Sequence, residues 1–136
     1  MKIHQKELHR KVWGEEYWIV NNDKYCGKLL VLHKGYRCSL HYHEKKDETF
    51  YVNDGKVKFY MDGVIKILSP GSSVHVKPGT KHLFEGLETS SIFEFSTHHD
   101  DNDVTRITES ERVSDSLEVK LKARIKNERN TKNKRS

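Results

Sequence analysis

Between about residues 16 and 107 the chain is a succession of short runs rich in Val, Ile, Tyr and Phe, broken at close intervals by turn residues. The runs predict strands at 16–20, 25–33, 36–43, 48–53, 57–62, 64–68, 73–77, 81–84, 90–96 and 104–107. The interruptions are Lys34-Gly35, Asn53-Asp54-Gly55, Asp62-Gly63, Pro70-Gly71 and Pro78-Gly79, all turn-forming pairs. Many short strands at near-even spacing, with no long helix between them, predict an all-β sandwich or barrel.

Beyond residue 111 the pattern changes. Leu117, Val119, Leu121, Ala123 and Ile125 alternate like a strand, while Val113, Leu117, Leu121 and Ile125 fall every fourth position like a helical stripe. The abundance of Glu, Leu, Lys, Ala and Arg favours helix. From Asn127 onward no apolar residue occurs, and disorder is the expectation. The predicted organisation is therefore a β domain over 1–111 and a basic tail, helical or disordered, over 112–136.

Charge sharpens that division. The chain of 136 residues has a formal net charge of +5, yet residues 1–111 sum to −1 and residues 112–136 to +6. Taken whole, the excess suggests a nucleic-acid binder. Located, it belongs to the tail, which has no aromatic residue for base stacking. The expected reading is a solvated tail, with weak contact to nucleic acid or another anionic partner as the alternative. No apolar run approaches the roughly 18 residues needed to span a bilayer, and the first residues show no apolar signal region. Cys26 and Cys38 form no CxxC pair and read as buried, reduced thiols. A cytoplasmic protein without a membrane partner is expected.

The chemistry concentrates in one stretch. His41 and His43 are two apart on a predicted strand, so both rings point to the same face. Glu48 opens the next strand after a short turn, where antiparallel pairing can bring its carboxylate beside the rings. His82 follows Pro78-Gly79-Thr80-Lys81 on a later strand. Three imidazoles and a carboxylate converging inside a barrel make a divalent-metal site with open positions, suited to Zn, Mn, Fe, Co or Ni. The alternative is four polar side chains facing a barrel interior with nothing bound, at a large cost in unmet polar burial.

This pattern resembles the cupin superfamily. Gly35, His41, His43, Glu48 and Gly55 meet every fixed position of the first cupin motif, and Gly71, Gly79 and His82 meet three of the second. Lys77 stands where the second motif has proline, beside Pro78, and Gly86 where it has asparagine. The resemblance implies a jelly-roll barrel, a metal held by His41, His43, Glu48 and His82, and a homodimer. Two narrower resemblances follow. Trp13-Gly14, Lys28, Pro78–His82 and the segments 92–95 and 100–106 are similar to the cupin module of type II mannose-6-phosphate isomerases. His41, His43, Lys46 and Glu48, with the run 25–30, are similar to cupin-type D-lyxose isomerases. Both imply an aldose–ketose isomerase acting on a sugar or sugar phosphate.

That chemistry requires an acid/base pair beside the metal. Lys46 and Glu94 are the candidates. Lys46 lies in a charged run and reads equally as a solvated turn residue. The apolar neighbours of Glu94 imply burial, so its carboxylate should face the cavity or pair with a cation. Lys28 and Arg37 are candidate substrate-binding residues at the cavity mouth. Arg37 shares strand parity with His41 and His43. Asp101, Asp103 and Arg106 suit a cap or a surface ion pair, and His33 and His75 a surface or packing role. His98-His99 has no partner spacing that supports a second metal. An Fe(II) dioxygenase and a non-catalytic module that binds metal or sugar remain the competing functions.

Overall fold

The computed structural model describes residues 1–113 and 125–126, and among them the chain is built of thirteen strands. In order these are β1 (Glu7–Lys11), β2 (Gly14–Asn21), β3 (Cys26–Leu32), β4 (Tyr36–Arg37), β5 (His41–Tyr42), β6 (Glu48–Asp54), β7 (Val57–Met61), β8 (Val64–Leu68), β9 (Ser73–Val76), β10 (His82–Gly86), β11 (Ser90–Ser96), β12 (Thr105–Arg106) and β13 (Glu111–Arg112). One sheet runs β1-β2-β3-β11-β6-β9. The other runs β12-β5-β10-β4-β13, with β7 also on β10 and β8 on β7. The pairings are antiparallel throughout, and the two sheets make a jelly roll.

Period-two alternation decides which side chains enter the core. On β3, Cys26, Lys28, Leu30 and Leu32 are buried, with intermediate residues between them. On β6 the buried positions are Glu48, Phe50 and Val52, and on β11 they are Ser90, Ile92 and Glu94. Register sets Leu30 beside Ile92 and Ile92 beside Val52, and one row on it sets Lys28 beside Glu94 and Glu94 beside Phe50. The inner face is thus apolar in the middle and polar toward the Glu48 end. Val57, Phe59, Leu83 and Phe84 close the core from the other sheet, joined by Leu40 from the segment between β4 and β5.

Two glycines permit close approaches that a side chain would block. Gly55 turns β6 into β7 at φ 93°, where an added Cβ would lie 2.2 Å from Ser90 Oγ. Gly86, at the position where the second cupin motif has asparagine, would set a Cβ 2.7 Å from the His33 carbonyl oxygen.

The structure departs from the sequence reading in three places. The run 36–43 is two short strands rather than one. Between them the N–H groups of Ser39 and Leu40 are taken by the hydroxyls of Ser110 and Thr108, and four consecutive residues, Arg37 to Leu40, are buried. The polar segment of β1 is a strand because β2 offers it a five-residue ladder. The expected boundary at residue 111 falls inside β13, whose Arg112 pairs with Tyr36, and Val113 N–H donates to Gly35 O at 2.7 Å. Ile125 and Lys126 are helical, and Ile125 is buried in the main core cluster. The readings made for 114–124 and 127–136 lie outside the described residues. Both cysteines are free and buried, as expected. Among the described residues no helix is long and apolar enough to cross a membrane.

Candidate active site

His41 on β5 and His82 at the start of β10 are direct register partners, and His43 follows β5. Their ligand atoms all lie within 4.8 Å of one another. Each ring is aimed by the backbone. The Nδ1–H of His41 donates to Ser39 O at 2.7 Å, that of His43 to Asp103 O at 2.6 Å, and that of His82 to Thr80 O at 2.8 Å. A carbonyl oxygen only accepts, so each Nδ1 carries the proton and each Nε2 presents a lone pair inward. Burial, followed by the neighbouring His82, pushes the His41 imidazole down to about 3. Burial likewise lowers His43 against the opposing pull of Glu48. The lowered values favour neutral rings at His41 and His43, as metal binding requires.

Glu48 closes the group. Its Oε2 lies 3.3 Å from His82 Nε2, and its Oε1 lies 3.7 Å from His43 Nε2. With the tautomers above, a lone pair faces a carboxylate oxygen. Glu48 Oε2 and His82 Nε2 are both buried without a hydrogen-bond partner. Two acceptors held against each other out of water need a positive charge between them. The donor set therefore fits a divalent cation bound by His41, His43, His82 and Glu48.

Lys46 and Glu94 stand beside this group. Lys46 is 3% exposed, so it is no solvated turn residue. Its Nζ is 2.7 Å from Glu94 Oε2, 3.2 Å from Glu48 Oε1 and 2.9 Å from His99 Nδ1. Burial alone would lower its pKa, but Glu94 and then Glu48 outweigh that and raise it above the usual lysine value. Glu94 also accepts from Ser96 Oγ at 2.9 Å. Lys28 is buried in the same cavity, with Nζ 3.3 Å from Glu16 Oε1 and 4.3 Å from the centre of the Trp18 ring. Burial would raise the Glu16 carboxyl, and the charge of Lys28 with the Trp18 N–H holds it low instead.

Arg37 is not brought to the cavity. Its Nη2 pairs with Glu111 Oε1 at 2.7 Å, and it is absent from the lining, whereas Cys38, Ser39 and His41 are present. Parity fails here because residues 38–40 lie between two strands and do not alternate. Asp103 does cap: its carboxylate accepts the backbone N–H groups of Glu44, Lys45 and Lys46, while its carbonyl aims His43. His33 and His75 are exposed and pair with Glu15 and Asp47. His99 was invisible as a site residue in the sequence, since its place in the cavity depends on the loop after β11 folding back over Lys46.

The family model for the cupin domain matches residues 28–95. The chain is a cupin. That segment begins at Lys28 and contains His41, His43, Lys46, Glu48, His82 and Glu94. The cupin is 34% identical over 110 residues to the D-lyxose/D-mannose isomerase of Thermosediminibacter oceani, covering 60% of this chain and 61% of the relative. It is 31% identical over 123 residues to the D-lyxose ketol-isomerase of Cohnella laeviribosi, covering 69% of this chain and 68% of the relative. This chain therefore spans about two thirds or less of the length of these two curated relatives. Among solved structures it superposes on an RmlC-like cupin from Shewanella frigidimarina with a TM-score of 0.66 at 21% identity, over 72% of this chain and 88% of that one. For KdgF from Halomonas sp. the TM-score is 0.65 at 20% identity, over 73% of this chain and 90% of that one. These two likenesses concern the fold.

Proposed function

We propose that this cupin is a divalent-metal-dependent aldose–ketose isomerase acting on a small sugar of the lyxose or mannose type. The observation that carries the reading is the buried Lys46–Glu94 ion pair at 2.7 Å, in the cavity lined by His41, His43 and Glu48 of the metal group. The similarity to isomerases of D-lyxose and D-mannose supports it.

When bound, a divalent ion supplies an electrophile for the sugar oxygens at C1 and C2. The proton transfers belong to the protein. The Glu94 carboxylate takes the C2 proton of the aldose, and the C–H electron pair becomes the C1–C2 double bond of an enediol. The C1=O π pair moves onto O1, and Lys46, a charged ammonium, gives that oxygen a proton. In the second half Lys46 recovers a proton from O2, and Glu94 delivers its proton to C1. Both groups end as they began, and the sugar has changed only the positions of its hydrogens. Lys28 is assigned to sugar hydroxyls. Its ammonium is already paired with Glu16, and the isomerases of D-lyxose and D-mannose to which the chain is similar favour a neutral sugar over a phosphorylated one.

The test is solvent exchange. Metal-loaded protein is incubated in deuterated water with D-lyxose, D-mannose, the corresponding ketoses and D-mannose 6-phosphate. Deuterium should enter C2 of a neutral aldose, and only with metal present. Glu94→Gln should lower the rate by about 10²–10⁴ while metal content stays unchanged. Full metal occupancy with no exchange across the panel would sink the reading. Oxygen consumption by the iron-loaded protein would replace it with dioxygen chemistry.

A further inference from the structure

His99 lies outside both cupin motifs and outside the metal group, yet it is held from every side. Its backbone N–H donates to Asn21 Oδ1 at 2.9 Å, and its carbonyl accepts from Asn21 Nδ2 at 3.0 Å. Its ring meets the Trp18 ring edge-on at 5.0 Å between centres. Its Nε2 is 2.8 Å from Asp101 Oδ1, and its Nδ1 is 2.9 Å from Lys46 Nζ. An ammonium only donates and a carboxylate only accepts. The ring therefore carries its proton on Nε2 and turns the Nδ1 lone pair to Lys46. This tautomer is the opposite of that in His41, His43 and His82, whose Nδ1 atoms face carbonyls.

The consequence falls on Lys46. An ammonium has three N–H donors on a flexible four-carbon stem. Here they meet three acceptors: Glu94, Glu48 and His99. His99 is the neutral one of the three, so it takes a hydrogen bond without cancelling charge. We propose that His99, with its tautomer set by Asp101, is a positioning residue that locks the Lys46 ammonium between Glu94 and Glu48. Without it, one N–H of a buried lysine has no partner, and the stem is free to turn the group toward whatever acceptor or water it finds. Burial, and then the charges of Lys46 and Lys28, keep the imidazole below its ordinary pKa, consistent with a neutral acceptor. The kinetic consequence rests on the isomerase reading; the tautomer and the lock do not.

Nitrogen-resolved NMR of the full chain reads the lock directly. The ring ¹⁵N shifts of His99 should report the Nε2–H tautomer, against Nδ1–H for His41, His43 and His82. The Lys46 ammonium protons should exchange slowly enough to be seen near neutral pH. His99→Phe should abolish that signal, and His99→Asn, whose amide oxygen replaces Nδ1, should retain it. Asp101→Ala removes a side chain that is 83% exposed, so folding is preserved. It should mobilise the His99 ring and weaken the Lys46 signal. An Nδ1–H tautomer at His99, or a Lys46 signal unchanged in His99→Phe, overturns the proposal. On a sugar that is turned over, His99→Phe should lower kcat about a hundredfold with KM within about twofold, and His99→Asn should restore most of it. If the wild-type protein turns over no sugar, the isomerase reading fails by itself, while the NMR results still decide the role of His99.

Discussion

At the scale of the residue, the site is an arrangement of proton positions. Three Nδ1–H groups are spent on backbone carbonyls, so three Nε2 lone pairs converge where Glu48 already faces His82. Removing one ring removes one ligand. His41→Ala should therefore leave the protein folded but lower bound divalent metal well below one ion per chain after dialysis, as read by elemental analysis. A second consequence concerns Cys38, whose Sγ accepts from Phe84 N–H at 3.3 Å. Burial pushes its thiol up to about 12 from an ordinary value near 9. A folded pKa above the unfolded one favours the folded state below pH 9, and that contribution is lost as pH rises from 9 toward 12. Denaturation of wild type and Cys38→Ala compared at pH 8 and pH 10.5 should show the wild type losing the more stability. Equal losses would contradict the burial. The shared face of His41 and His43 was legible in their spacing, whereas Glu48 and His82 joined them through the resemblance to the cupin motifs. The burial of Lys46 was not legible, because a lysine in a charged run reads as solvated until Glu94 and His99 are set against it.

At the scale of the element, strand alternation and register do most of the positioning. Lys28, Glu94 and Phe50 share one row because β3, β11 and β6 are paired in that register. The turn at Gly55 holds the end of β6 against Ser90 on β11 with no room for a side chain. Gly55→Ala combines a positive φ with that overlap and should cost about 1 kcal/mol or more in denaturant unfolding. The parity argument failed at one point. Arg37 and His41 are four apart, an even number, yet the intervening residues pair with the hydroxyls of Ser110 and Thr108 instead of a continuous strand. Nothing local in Cys38-Ser39-Leu40 announces that break, since its cause lies about seventy residues away in sequence.

At the scale of the whole molecule, the question is how far the body extends. Ile125, within the segment read as a basic tail, is 5% exposed and belongs to the main core cluster. Ile125→Ala should lower stability by about 2–5 kcal/mol, the usual cost of truncating a buried isoleucine. Deleting residues 114–136 should lower Tm for the same reason. Metal uptake should survive the deletion, because every candidate ligand is positioned by residues before 114. Loss of metal binding on truncation would show instead that the tail shapes the site.

The sequence by itself determined the strand-rich class, the positions of the turns, the shared face of His41 and His43, and the separation of a neutral body from a basic end. These follow from local rules, since turn chemistry and period-two alternation act over a few residues. Tertiary structure alone decided the partners of the charges. Lys46 meets Glu94 and His99, Lys28 meets Glu16, and Arg37 meets Glu111. A buried charge takes its chemistry from whatever opposes it across the barrel, and sequence distance carries no record of that.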